Sequence, residues 1–252
     1  SHWHCWHPRC CLPAPPLASC WQTVRRMTIS RRVRERAIKR AIDIIGALVL
    51  LLALAPSMLG IAMLVRLRSG KPVLYREQRV GRGGKPFTLL KFRTLDEGSA
   101  SARSIAPEDD PRITTVGLPL RRTRLDELPQ LYNVLVGDMS LVGPRPMVQR
   151  HADALDGATR QAVLSVRPGV TDPASVLFFA EDAVLAGRPN AEAEYLQLLL
   201  PAKAKVQLDY LQHWHLMMDL RIILRTLARV WSPQAREDSM RRVRAVLVGS
   251  CG

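Results

Sequence analysis

The sequence predicts a mixed α/β, monotopic membrane protein. One apolar N-terminal segment dips into a bilayer, and a basic cytoplasmic body follows it. Three observations carry this. Ile44–Val65 is apolar throughout except for Ser57. Both flanks of that stretch are basic. Beyond it the chain breaks into short elements punctuated by Pro and Gly.

The apolar stretch comes first. At about 1.5 Å per helical residue it is long enough for a hydrocarbon core of roughly 30 Å. A buried helix of a soluble protein rarely needs so long an unbroken run. Arg31, Arg32, Arg34, Arg36, Lys39 and Arg40 precede it, and Arg66, Arg68 and Lys71 follow. Basic flanks stay in the cytoplasm, so both ends are expected there. Pro56 lies mid-segment, where it removes a helix hydrogen bond. A re-entrant helix that bends at Pro56 and leaves by the face it entered satisfies both facts. Asp43 is close enough to Lys39 and Arg40 to pair with them at the interface.

Charge narrows the partners. Among 252 residues, Lys and Arg number 37 against 22 Asp and Glu, a net +15. That predicts an anionic partner: nucleic acid, lipid headgroups or a phosphorylated substrate. The cysteines are Cys5, Cys10, Cys11, Cys20 and Cys251. None lies in the body, so the fold needs no disulfide and suits a reducing compartment. Residues 1–26 are rich in His, Cys, Trp and Pro without periodicity, and are expected to be non-native or an over-extended start. A zinc site from His2, His4, Cys5, His7, Cys10 and Cys11 fits no standard ligand spacing. The expected divisions are residues 1–26, a basic membrane-approach and re-entrant segment 27–70, a cytoplasmic domain 71–231, and a charged tail 232–252.

Within the body, residues 71–94 read as a strand pair around the turn Gly81–Gly84. Lys91 and Arg93 alternate with Phe92 and share a face, either anion-binding or solvated. Residues 96–112 read as a loop; Asp96, Glu97, Glu108, Asp109 and Asp110 either bind a cation or are merely solvated. Leu125, Leu128, Leu131, Tyr132 and Leu135 space out as an amphipathic helix opened by Asp126 and Glu127, with Pro129 in its first turn. Arg121, Arg122 and Arg124 stand just before. Two carboxylates beside three arginines suit a phosphate-and-metal site; a capped, salt-bridged helix start is the alternative. Arg145 lies between two prolines, held in a fixed direction that suits bidentate phosphate binding. Arg167 sits in a further Pro/Gly loop. Residues 191–211 and 217–230 read as amphipathic helices, the latter able to lie on a membrane plane or to pack on the core.

Four ordered blocks resemble a known family: KRAIDIIGALVLLLALAP, YREQRVGRGGKPFTLLKFRT, LDELPQLYNVLVGDMSLVGPRP and RPGVT. Together they are similar to the bacterial sugar transferases that act on polyprenyl phosphate, monotopic phosphoglycosyl transferases, in their compact catalytic form. The resemblance covers roughly Arg36 to Val230. It implies a nucleophile at Asp126 and, at Glu127, a carboxylate that assists through Mg²⁺ on the substrate. It further implies a membrane-approach motif at Lys39, Arg40 and Asp43, a helix break at Pro56, a basic element at Lys91 and Arg93, and an arginine loop at Arg145. The later Arg-Pro-Gly loop falls on Arg167, Pro168 and Gly169. Three positions depart from the family: Pro56-Ser57 in place of Ser-Pro, Arg124 where Ser or Thr is usual, and Asp172 where Gly is usual.

The resemblance therefore implies transfer of a sugar 1-phosphate from a UDP-sugar to polyprenyl (undecaprenyl) phosphate. UMP leaves, an aspartyl phosphosugar forms, and the reaction begins exopolysaccharide, capsule, O-antigen or glycoprotein glycan synthesis. The setting implied is the bacterial inner membrane with the site on the cytoplasmic face. The partners are the donor, the lipid acceptor and the bilayer, with self-association or glycan-assembly partners open. Nucleic acid is not among them: a polyanion-binding module would leave Asp126, Glu127 and Pro56 without a task. The sugar itself is not legible.

Overall fold

The computed structural model describes residues 17–96, 106–230 and 232–248. The proposed zinc ligands and Glu97 lie outside the described residues. The chain divides into two compact units, Ser1–Ala41 and Ile42–Gly252. One helix, α1 (Leu17–Ser69), runs from the first into the second. Lys39 and Arg40 lie on it in the first unit.

Among the described residues, α1 supplies the single stretch long and apolar enough to cross a membrane, with mean hydropathy 2.5 over its most apolar window. Only 6% of that window is buried. Ile45, Leu52, Leu59, Met63 and Leu67 are each at least 60% exposed. Such an apolar surface is a poor one to show to water. Helical structure continues through Pro56. The break expected there is thus a missing N–H inside one helix, which leaves the Leu52 carbonyl without its usual donor.

One face of α1 does pack on the protein. Ala47 and Val65 are fully buried. A Cβ at Gly46 would meet Leu141 Cδ1 at 2.8 Å, so glycine lets α1 approach without moving that side chain. Asp43 was expected beside Lys39 and Arg40; the structure gives its carboxylate a role within the second unit. Asp43 accepts the Ser140 hydroxyl at 2.8 Å and the Leu141 amide at 3.0 Å. A buried carboxylate is stabilised by such donors, and here they fasten α1 to the body.

The body begins with antiparallel strands β1 (Leu74–Val80) and β2 (Pro86–Phe92), in register from Leu74↔Phe92 to Val80↔Pro86. Gly83 and Gly84 turn the chain with φ of 70° and 79°. Next come α2 (Gly117–Arg122), a 3₁₀ turn (Leu125–Glu127) and α3 (Gln130–Val136). Asn133 of α3 acts as a surrogate strand: its amide accepts from Leu90 N at 3.1 Å and donates to Thr88 O at 2.8 Å. The free edge of β2 is satisfied in this way.

Strand β3 (Ser140–Val142) pairs in parallel with β4 (Gly169–Thr171). Between them lie α4 (Gln149–Asp153) and α5 (Gly157–Leu164). The strands nearly touch: a Cβ at Gly169 would sit 2.1 Å from Gly143 N. Helices α6 (Pro173–Leu177), α7 (Glu181–Leu185), α8 (Ala191–Glu194), a π turn (Tyr195–Leu199), α9 (Leu200–His213) and α10 (Leu216–Val230) follow, and α6, α9 and α10 complete the main core. Phe87, Leu89, Leu131, Val134, Met139, Leu141, Tyr210 and Ile222 meet there.

The expected charged tail is instead α11 (Pro233–Val248). Its Val243 and Leu247 are buried with Phe178, Leu185 and Leu199 in a second cluster. Ser239 donates to Leu177 O and accepts from Ala180 N. Met240, Val243 and Leu247 hold a helical spacing that the surrounding charges obscure.

Candidate active site

Asp126 and Glu127 do not open a long helix as expected. They occupy the 3₁₀ turn, and α3 starts only at Gln130. Arg124, the residue before this turn, has φ 57° and ψ 16°. It is the single non-glycine residue with positive φ among those described. A left-handed residue here costs of order 1 kcal/mol and reverses the chain between α2 and the turn. Its guanidinium donates to Phe179 O at 3.0 Å and lies over the Phe179 ring.

The turn faces a cavity of about 500 Å³. Asp126 and Glu127 are each only 6% exposed. Arg145 grips Glu127 bidentately, with Nη1 3.2 Å from Oε2 and Nη2 bonded to Oε1. Lys91 Nζ stands 3.7 Å and Arg124 Nη1 3.5 Å from the same Oε1. Burial alone would raise the Glu127 carboxyl, but Arg145, Lys91 and Arg124 outweigh it and hold it well below the usual range. Burial lowers Lys91, against the pull of Glu127.

Asp126 is treated differently. Burial, then the charge of Glu127, pushes it up to about 6, although Lys91, Arg124 and Arg121 pull the other way. The arginines that precede it do not offset this: Arg124 is shared with Glu127, and Arg122 pairs with Glu108. Asp126 Oδ1 is buried and has no hydrogen-bond partner among the described residues. Two adjacent carboxylates are thus driven apart in acidity. Glu127 is a fixed anion, and Asp126 is a largely ionised group at neutral pH with an unused oxygen.

The other expected site residues separate. Lys91, Arg93, Arg121 and Arg145 line the cavity; Arg122 and Arg167 do not. Arg122 turns outward and pairs with Glu108 at 3.1 Å, since consecutive helical side chains point in different directions. Arg167 Nε donates to Gly137 O at 2.8 Å, capping the C-terminal end of α3. Arg93 borders the cavity, but its guanidinium donates to Lys71 O at 2.7 Å and to Ser69 O, which secures the end of α1. Arg121 donates to Ala106 O, and its Nε is buried without a partner among the described residues. Of the acidic loop, Glu108 pairs with Arg122 and Arg236, and Asp110 with Arg112.

Asp172 is fully buried and organises Arg145. It caps α6 through Ser175 N, accepts from Arg145 N at 3.2 Å, and accepts from Gln207 Nε2. The departure from glycine at this position is thus a support for the arginine loop.

Sequence reasoning missed the far end of the cavity, lined by His151, Glu181, Tyr195, Lys203 and Gln207. Lys203 carried a signal: it shares the buried face of α9 with Leu200, Ala204 and Gln207, where a lysine needs a partner.

Among the described residues no group of three or more His, Cys, Asp or Glu could hold a metal. Glu127 still fits Mg²⁺, which commonly takes one or two carboxylates and completes its shell with water and substrate phosphate. The oxygens of Glu127 are the donors on offer.

A cation-lined cavity with one spare carboxylate, in a body fastened to an apolar helix, defines a class: a protein with a site for phosphate-bearing ligands beside an apolar surface. The chain belongs to the bacterial sugar transferase family, whose profile matches residues 34–233. It is 39% identical over 201 residues to a UDP-glucose:undecaprenyl-phosphate glucose-1-phosphate transferase of Caulobacter vibrioides, covering 78% of this chain and 70% of that one. It is 36% identical over 200 residues to a protein of the same name from Escherichia coli K12, covering 77% of this chain and 40% of the relative. A UDP-N-acetylgalactosamine-undecaprenyl-phosphate N-acetylgalactosaminephosphotransferase of Aeromonas hydrophila is 34% identical over 199 residues, 77% of this chain and 43% of its own length. The chain thus spans less than half of the latter two.

Proposed function

We propose that this protein transfers a sugar 1-phosphate from a UDP-sugar to polyprenyl phosphate, undecaprenyl phosphate in bacteria, and releases UMP. The reaction is the first membrane step of a bacterial surface or glycoprotein glycan. The observation that carries the reading is the unpartnered Asp126 Oδ1 beside a Glu127 already held ionised by Arg145. The names of the relatives support the chemistry, and they differ in the sugar.

Donor and acceptor are both anions, so the cavity must offset their repulsion. Lys91, Arg121, Arg124 and Arg145 supply the positive charge. Asp126 Oδ1 attacks the sugar-bearing phosphorus, the bond to the UMP oxygen breaks, and an aspartyl phosphosugar forms. An oxygen of the lipid phosphate then attacks that phosphorus and displaces the Asp126 carboxylate. Glu127 keeps Arg145 oriented toward the cavity. Mg²⁺, held near Glu127 on the diphosphate, would stabilise the charge on the departing UMP.

The membrane arrangement belongs to the same proposal. Pro56 lies twelve residues beyond Ile44, a helical reach of about 18 Å, close to half a hydrocarbon core. A bend there returns α1 to the cytoplasmic face of the inner membrane. On α10, Met217, Leu220, Leu224 and Leu227 form one exposed stripe, each at least 48% exposed, opposite buried Ile222. With exposed Arg221 and Arg225 flanking it, α10 lies in the headgroup plane. Lipid phosphate and soluble donor then meet at one depth.

The test is enzyme quenched with UDP-sugar and Mg²⁺ but no lipid. A hexose-phosphate adduct is expected on the peptide containing Asp126, discharged when undecaprenyl phosphate is added. No adduct, with UMP release only once lipid is present, would favour direct transfer in a ternary complex.

A further inference from the structure

The far end of the cavity has a different chemistry from the end holding Asp126. Lys203 Nζ lies 2.8 Å from each Glu181 oxygen and 3.5 Å from the Tyr195 hydroxyl. Lys203 is 4% exposed and sits over the Tyr195 ring. Burial opposes its charge, but Glu181 and Tyr195 outweigh it and hold its pKa above the ordinary lysine value. The His151 ring packs 5.1 Å from that of Tyr195 and extends the same wall. Arg145 lies between the two ends, its charge felt by both Glu127 and Glu181.

We infer that Glu181, Lys203 and Tyr195 form the compartment that reads the sugar ring of the donor. The inference rests on the phosphoglycosyl-transfer reading. Charge is in excess at the Asp126 end, as phosphates require. At the far end ammonium and carboxylate cancel, which leaves a neutral region dense in hydrogen-bonding groups. A sugar is neutral and carries several hydroxyls, each a donor and an acceptor. The bonds shown use one lone-pair site on each Glu181 oxygen, so each oxygen can still accept a hydroxyl. Tyr195 can donate or accept, and its ring offers an apolar face to the ring hydrogens. Position agrees: the sugar hangs directly from the phosphorus that Asp126 attacks, so it must occupy space adjoining Arg145. An ion pair serving stability alone has little reason to line a cavity, since apolar side chains fill such places at equal or lower cost.

A site built on hydrogen bonds to hydroxyls discriminates by leaving its groups unpaired against the wrong ring. The experiment measures UMP release with undecaprenyl phosphate from UDP-glucose, UDP-galactose, UDP-N-acetylglucosamine and UDP-N-acetylgalactosamine. It compares wild type, Glu181→Gln and Tyr195→Phe, each also assayed for inhibition by UMP. For the preferred donor, kcat/KM should fall about tenfold or more while the ratio between 4-epimeric donors shrinks. UMP inhibition, which reads the nucleotide and not the sugar, should stay unchanged. Equal losses on all four donors, unchanged selectivity or weakened UMP inhibition would each overturn the assignment. Tyr195→Phe removes one hydroxyl and decides the matter if Glu181→Gln does not fold. Wild-type inactivity on every donor would instead overturn the transfer reading, and the compartment with it.

Discussion

Two adjacent carboxylates buried alike must divide the available cations between them, and here Glu127 takes most of the share. The signs that follow are opposite. Asp126 is raised from 3.8 to about 6. Its folded form binds the proton more tightly than the unfolded chain does. Stability from this group is therefore full below the unfolded value and is lost as pH rises through about 6. Asp126→Asn removes that loss, so with EDTA present the variant should be more stable than wild type above pH 7. The gain should be on the order of 2 kcal/mol, vanishing near pH 4, while turnover falls by orders of magnitude. Thermal unfolding across pH checks it; an equal or lower Tm at pH 8 would refute it. Glu127 is depressed, so its contribution is present above the unfolded value and is lost only as pH falls through a much lower folded value. Glu127→Gln strands buried Arg145 and should cost about 3 kcal/mol or more. It should also raise the Mg²⁺ concentration needed for half-maximal UMP release; an unchanged Mg²⁺ curve would remove Glu127 from the metal's neighbourhood. The sequence exposed this pair because its neighbours are so basic. It did not expose which acid each arginine serves, because that depends on where Arg145, eighteen residues on, is folded back.

Elements differ in how openly the sequence declares them. The apolar helix α1 is legible from hydropathy, and Asn133 shows why α3 belongs against β2 only once both are in place. Helix α11 is hidden because its inward positions, partly buried Met240 and buried Val243 and Leu247, are spread among arginines that dominate the composition. The 3₁₀ turn is hidden because Leu125, Leu128 and Leu131 keep a helix-like spacing across it, although α3 starts only at Gln130. Asp43 makes the link between α1 and β3 testable. Asp43→Ala removes the acceptor of two hydrogen bonds and leaves the buried Leu141 amide without it. The cost should be about 3 kcal/mol, and Asp43→Asn, which keeps one acceptor oxygen, should cost less. Thermal unfolding in detergent should show that order, with membrane association retained by both; equal, negligible shifts would mean that α1 is held by apolar contacts alone.

At the scale of the whole molecule, the question is which solvent covers each face. The exposed leucines of α1 and those of α10 are two apolar surfaces on one protein, and water suits neither. A spanning α1 would place one basic flank outside, against the charge rule, and would leave Pro56 as an unexplained defect in the ladder. A re-entrant α1 keeps both flanks inside and gives Pro56 the bend. The prediction is made on a background in which the five native cysteines are replaced by serine. Cysteine introduced at Ser30 or at Ser69, on the two sides of the apolar stretch, should resist a membrane-impermeant thiol reagent in intact cells. Both should react once the cells are opened. Replacing Pro56 with Ala restores the missing donor and removes the ring that opposes a straight axis, so it favours the spanning form. In that variant one of the two cysteines should become reactive from outside, and UMP release should fall because the site no longer sits at headgroup depth. Labelling of one site in the Pro56 parent would instead show that α1 crosses, and the lipid phosphate would then have to reach Asp126 without a returning helix to set its depth.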